Sequence, residues 1–287
     1  MDIRRFTHIG RPVDPAWPTN RAIALITVAT GLIAGGVVLA TDSLNVTDTA
    51  LVSFRTAAAV FLAWAMTREI DPDHQAPAFV AAGLALLGIV YANMPPPVLP
   101  VVWLLLCVRI VNRSTGLAPR LADLILVSGL GIWLATNGYP MAAAATGAAI
   151  WLNHRVDGRS SLWLPGLATA LVLTTPLAWM SDAGSAATAG TDWALLLAAV
   201  GASALFVAST RKSGPPQSLD DEGVHRLSAR RMRYARALGL ITCILVLSFA
   251  GNDGFTPFIA FWAAALAVGI RMPGAPDPAS TQTHLNV

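Results

Sequence analysis

Apolar residues dominate ten runs of this chain, at 22–40, 50–67, 77–94, 98–112, 121–137, 139–154, 162–180, 191–210, 235–250 and 255–270, and polar residues collect in the short breaks between them. A helix of about 20 apolar residues crosses roughly 30 Å of hydrocarbon. The runs therefore predict about ten transmembrane helices. Three of them, 98–112, 139–154 and 235–250, are short enough to be read also as re-entrant or interfacial pieces, which sets the range at eight to ten. Because most breaks are short, consecutive helices are expected to pack as antiparallel hairpins, with small residues at the close contacts. The runs AAGLALLG, MAAAATGAA and AALAVG supply such residues.

The expected fold class is thus all-α, a polytopic integral membrane bundle. A segment at 1–21 precedes a transmembrane domain at 22–270, which carries a basic loop at 211–236, and a turn-rich tail at 271–287 reads as disordered. Composition agrees, since 55% of the 287 residues are apolar and 12% are charged. The first run, with Arg4, Arg5, Arg11 and Arg21 before it, superficially resembles a signal peptide; its 19 residues are long for one and read as a retained first span.

The distribution of charge orients the bundle. Arginine and lysine near span ends stay on the cytoplasmic side. With the N-terminus inside, alternate loops and ends hold 4, 1, 3, 2, 7 and 1 basic residues, 18 of the 19, and the opposite loops hold none. Those opposite loops carry Asp42, Asp48, Asp182, Asp192 and Asp253 instead. The expectation is a cell (inner or plasma) membrane protein with both termini cytoplasmic. Arg55, five residues into the second run, is the exception; it reads either as a side chain that snorkels or pairs with Asp48 or Asp42, or as an outward-facing site for an anion or lipid headgroup.

Two function classes lose ground on the same pattern. The single lysine, Lys212, lies in a loop, so no retinal Schiff base is expected, and no histidine lies deep enough in a run to hold haem. A net charge of +3 gives no reason to expect a nucleic-acid partner. Cys107 and Cys243 sit inside apolar runs and read as packing residues.

Polar chemistry concentrates in three inner turns. The first holds Arg68, Glu69, Asp71, Asp73 and His74; alternate carboxylates there suit one hard cation such as Mg²⁺, whose shell is completed by water and phosphate. The other two bring Arg109, Asn112, Arg113, Ser114 and Thr115, then His154, Arg155, Asp157 and Arg159, and arginine forks match phosphate. Together they point to a phosphorylated or lipid-linked ligand, as in lipid or isoprenoid metabolism. The same turns also read as ordinary solvated connections, with Asp and Pro as turn formers and a basic rim that topology alone requires. A transporter or flippase, and an accessory subunit of a membrane complex, are the alternatives. In the basic loop, Ser218 followed by acids and then bases predicts a helix running into the ninth span, with Arg226, Arg230 and Arg233 on one face toward anionic headgroups.

Overall fold

Each apolar run folds as helix in the computed structural model, which describes residues 7–11, 13–41, 44–157, 163–182 and 192–271. The order is α1 (Pro18–Thr41), α2 (Val46–Ile70), α3 (Ala76–Ala92), α4 (Val98–Asn112), α5 (Leu121–Ala135), α6 (Met141–Asp157), α7 (Trp163–Asp182), α8 (Trp193–Lys212) and α9 (Ala229–Ala250). The last run is broken. A short α10 (Asn252–Phe255) and a 3₁₀ turn at Thr256–Phe258, which contains Pro257, precede α11 (Ile259–Gly269). No strand occurs among the described residues, so the chain is all-helical there.

Four helices, α1, α2, α8 and α9, are long and apolar enough to cross a membrane. Their outward side chains include Leu25, Leu32, Ile33, Leu197 and Val200, all more than half exposed, a surface that belongs in lipid rather than water. At 15 residues, α4 and α5 rise only about 22 Å. The expected tail beyond Arg271 lies outside the described residues, as does Arg159.

The chain forms two units. Unit 1 is Met1–Pro12, Val102–Asp192 and Gly214–Gly254; unit 2 is Val13–Val101, Trp193–Ser213 and Phe255–Val287.

In unit 2, α1 packs on α2, α2 on α3, and α11 on α2, α3 and α8. Small residues permit the close approaches. A Cβ on Gly35 of α1 would lie 2.5 Å from Ser53 Oγ of α2, and one on Gly31 would lie 3.2 Å from the Ala57 Cβ. This Gly-x-x-x-Gly face presses one backbone on another, which is what drives helix association where no water remains to be expelled. A Cβ on Gly269 would meet Leu205 in the same way, 2.9 Å from its carbonyl carbon. Nine of the eleven residues of α11 are buried, so this short apolar helix is the core of its unit rather than a face of it.

In unit 1, α6 packs against α5, α7 and α9. Gly147 of α6 comes so near α7 that a Cβ would lie 2.6 Å from the Ala168 carbonyl oxygen. Trp103 of α4 donates from Nε1 to Thr146 Oγ1 at 2.9 Å, and that hydroxyl donates to the Ala142 carbonyl at 2.9 Å, so both polar groups are satisfied inside the helix layer.

The expected helix over the basic loop does not form from Ser218. Residues 213–228 make an irregular hairpin instead, with a single antiparallel bridge between Leu219 and Arg226. Its tip turns at Gly223, where φ is +70°, and Asp220 Oδ1 accepts the Val224 N–H at 3.1 Å. The carboxylate thus stabilises the turn and not a helix start. Ser228 is the residue that caps α9, accepting the Arg231 N–H, so Arg226 lies outside the helix and does not share a face with Arg230 and Arg233.

Candidate functional site

Polar side chains gather in two separate centres, one in each unit.

The centre of unit 2 is small and ionic. Asp71 ends α2, its N–H bonded to the Thr67 carbonyl at 2.8 Å. Pro72 follows and stops the helix, leaving the carboxylate to point across the helix end. Arg271, just past α11, places Nη1 2.7 Å and 2.6 Å from the two Asp71 oxygens, and its Nη2 donates to Ser213 Oγ beyond the end of α8 at 2.9 Å. His74 Nδ1 lies 3.1 Å from Asp71 Oδ1 and 2.8 Å from Arg271 Nη1. Three helix ends, the outer two 200 residues apart in the chain, are thereby fastened at one point. Burial alone raises the Asp71 carboxyl, but the His74 hydrogen bond and the Arg271 charge outweigh it and hold the group below its ordinary value of 3.8.

The cation expected on this turn meets a different arrangement. Among the described residues no three His, Cys, Asp or Glu side chains gather to hold a metal ion. Asp71 faces a guanidinium with both oxygens, Glu69 is buried in the last turn of α2, and Arg68 donates to the Pro72 carbonyl at 3.1 Å, closing its own turn. Asp73 is half-buried beside them.

The centre of unit 1 is larger and is built mostly on neutral acceptors. Asn153 of α6 is 3% exposed, and its Oδ1 accepts from Arg113 Nε at 3.0 Å and from Arg231 Nη1 of α9 at 3.1 Å. Arg231 also donates to the Val111 carbonyl at 3.0 Å. Arg113 itself leaves α4 in the left-handed region, φ +53°, which turns its side chain toward α6. The residues that follow Arg113 and Asn153 in the chain carry two buried atoms without a hydrogen-bond partner, Ser114 Oγ and His154 Nδ1. Arg155 is exposed at the end of α6, and Asn112 is buried at the end of α4.

Two segments close over this centre. Residues 7–9 dock on the turn after α4: Thr7 Oγ1 and the His8 N–H donate to the Asp123 carboxylate at 2.6 Å and 3.0 Å. Thr115 Oγ1 donates to the His8 carbonyl at 2.6 Å, and Arg109 Nη1 to the Ile9 carbonyl at 3.3 Å. Asp123, in the first turn of α5, also accepts the Arg120 N–H at 2.8 Å and so completes a helix cap. The hairpin 213–228 covers the other side, with the Asp221 N–H on the Ser114 carbonyl at 3.1 Å and the Asp221 carboxylate on Arg11 at 2.6 Å. Gly116, φ +82°, is required beneath it, because a Cβ there would lie 2.8 Å from Asp220 Oδ2.

Of the residues expected to form one site, Arg109, Asn112, Arg113 and His154 belong to unit 1, and Arg68, Glu69, Asp71, Asp73 and His74 to unit 2. Asn153, Arg231, Ser213 and Arg271 were not singled out by the sequence. Asn153 stands in the same NHR turn as His154 and could have been found there, whereas nothing local marks Arg271 as the partner of Asp71. Arg55 is half-buried on α2; the Asp48 carboxylate, its nearest expected partner in sequence, accepts from Asn45 Nδ2 at 2.8 Å. Comparison of the chain with protein-family models, with curated proteins and with solved structures finds no match.

Proposed function

We propose that the chain crosses the bilayer ten times with both ends on the cytoplasmic face, and that the centre of unit 1 binds the phosphate of a phosphorylated, lipid-linked ligand at that face. Contacts within each unit support the alternation. Residues 7–11, the turn 113–120 and the hairpin residues 214–228 meet one another in unit 1, as helix ends separated by even numbers of crossings must. In unit 2 the turn after α2 and the ends of α8 and α11 meet at Arg271, again with even spacing. The shorter helices span by snorkelling of flanking arginines and local thinning of the bilayer.

The observation that carries the ligand reading is that two buried groups without partners, Ser114 Oγ and His154 Nδ1, directly follow Arg113 and Asn153 in the chain, where Asn153 holds two guanidiniums. An unsatisfied buried polar group is costly and calls for a partner. A phosphate oxygen accepts from a hydroxyl, an imidazole N–H and an arginine fork alike.

The test is binding of farnesyl diphosphate to the purified full chain, with farnesol as the control. Diphosphate-dependent binding that falls about tenfold in Ser114→Ala and in His154→Phe is expected. Equal binding of the alcohol and the diphosphate, or unchanged affinity in both variants, overturns the reading. Reporter fusions in the loops address the topology independently.

A further inference from the structure

A positive patch lies on the surface of unit 1 where α6 ends and α9 begins. Asn153 and Arg231, buried and hydrogen-bonded at 3.1 Å, fix these two helix ends against each other. Outside that pair Arg155 of α6 and Arg230 and Arg233 of α9 are exposed, and the charges of all three act on the Tyr234 hydroxyl, which gathers the four side chains into one cluster. Arg230 is held there in two ways: its guanidinium carbon lies 5.6 Å from the centre of the Tyr234 ring, and its Nε donates to the Tyr234 hydroxyl oxygen at 3.4 Å. Its terminal nitrogens and the phenolic O–H are left to an acceptor from outside. Among the described side chains no carboxylate pairs with Arg155, Arg230 or Arg233, and the first turn of α9 contains no acid. Like charges gathered without a counter-charge repel one another and attract an anion.

The same face of α9 then turns apolar. Arg230 and Tyr234 are followed at helix spacing by Ala237, Ile241 and Leu245, all exposed, while Met232, Gly239 and Cys243 on the opposite side are buried. Trp151, one turn before Arg155 on α6, is exposed too, an aromatic side chain of the kind that lines the boundary between hydrocarbon and headgroups. Since α9 is long and apolar enough to cross a membrane, a basic head above an apolar stripe on its outer face matches an anionic amphiphile. A soluble anion would use the arginines and leave the stripe empty. An acidic protein segment would meet the arginines but has no use for a stripe that continues along a helix fit to cross the bilayer.

We propose that this patch is a site for one anionic phospholipid: the phosphate sits among Arg155, Arg230 and Arg233, the Tyr234 hydroxyl donates to it, and an acyl chain lies along Ala237, Ile241 and Leu245. The site requires that α9 cross the bilayer. It stands on the exposed face of that helix, apart from the buried centre around Asn153, and does not depend on the ligand proposed there.

Native mass spectrometry of the delipidated full chain tests this, with phosphatidylglycerol and phosphatidylcholine of the same acyl chains as probes. One phosphatidylglycerol retained about tenfold more strongly than phosphatidylcholine is expected, with the preference abolished in Arg155→Gln/Arg230→Gln/Arg233→Gln and kept in Arg155→Lys/Arg230→Lys/Arg233→Lys. All three positions are exposed, so both variants should melt as wild type does. Arg211→Gln removes an exposed arginine at the end of α8, in unit 2, and should leave the preference unchanged. An equal fall there makes the attraction a property of every basic helix end and overturns the site. Displacement of the lipid by an equal concentration of glycerol phosphate assigns the arginines to a soluble anion and overturns the lipid. No preference in wild type, or a preference unchanged in the triple glutamine variant, overturns the proposal and leaves the patch to an acidic protein segment. Arg230→Gln/Arg233→Gln should bind farnesyl diphosphate as wild type does, so failure of the buried site is told apart from failure of this one.

Discussion

Units 1 and 2 tie their helix ends together by opposite means. Unit 2 uses one ion pair, Asp71 with Arg271, which a histidine and a serine flank. Unit 1 spreads the same task over Asn153, backbone carbonyls, the Asp123 cap and two covering segments. A single buried pair concentrates its free energy in two side chains, and removing either leaves the other charge stranded. A distributed network loses one bond at a time. The units should therefore fail differently: unit 2 abruptly and unit 1 by degrees.

The largest expected effect is Arg271→Ala, which leaves Asp71, with its side chain 3% exposed, only the His74 hydrogen bond, at a loss of about 3 kcal/mol. Limited proteolysis should then release fragments of α8 and α11 first. The double variant Asp71→Leu with Arg271→Met should recover most of that loss, because no charge is left buried. If the single and double variants are equally unstable, the ion pair is not what closes unit 2.

Asn153→Leu in unit 1 comes next, at about 2–3 kcal/mol, since two arginine donors lose one acceptor but Arg231 keeps the Val111 carbonyl. Its signature is a lower melting temperature with residues 7–11 still docked. Release of the N-terminal segment in this variant would make unit 1 as brittle as unit 2 and erase the contrast.

Acid should distinguish the units more gently. The folded Asp71 carboxyl titrates below its ordinary value of 3.8, so its stabilisation is complete above that value and is lost as pH falls through the folded one. Melting curves should be flat from neutrality to about pH 5 and fall below it, and Asp71→Leu/Arg271→Met should flatten the acid limb. An acid limb that persists unchanged in the double variant assigns it to other carboxylates.

The positions of the helices were legible because a bilayer demands long apolar runs, and each run from 22–40 to 255–270 contains a helix. The departures have local causes. Pro257 splits the last run, and the DDEG turn at Asp220–Gly223 overrides the dipole-favoured order of charges that had read as a helix from Ser218. The small-residue runs sit at close contacts through Gly88, Gly147 and Gly269. The sites were less legible. Density of polar residues marked Asp71 and His74, but the charge that completes them arrives from the far side of nine further helices, and pattern along a chain carries no such distance. The parting of the inner turns between two units was likewise invisible, because the chain enters unit 2, leaves it at Val101, returns at Trp193 and again at Phe255.

The central place of α11 bears on the order of assembly. Its neighbours α2 and α3 are complete by Ala92, whereas α11 begins at Ile259, so more than half the chain is synthesised before the core of unit 2 exists. Until then the hairpin of α2 and α3 must wait with an apolar face and the Asp71 carboxylate both lacking their final partners, a state in which a chaperone or a neighbouring hairpin competes for the vacancy. The unit whose helices are made first is thus the unit finished last, and its ion pair acts as the clasp fastened once the other helices are made.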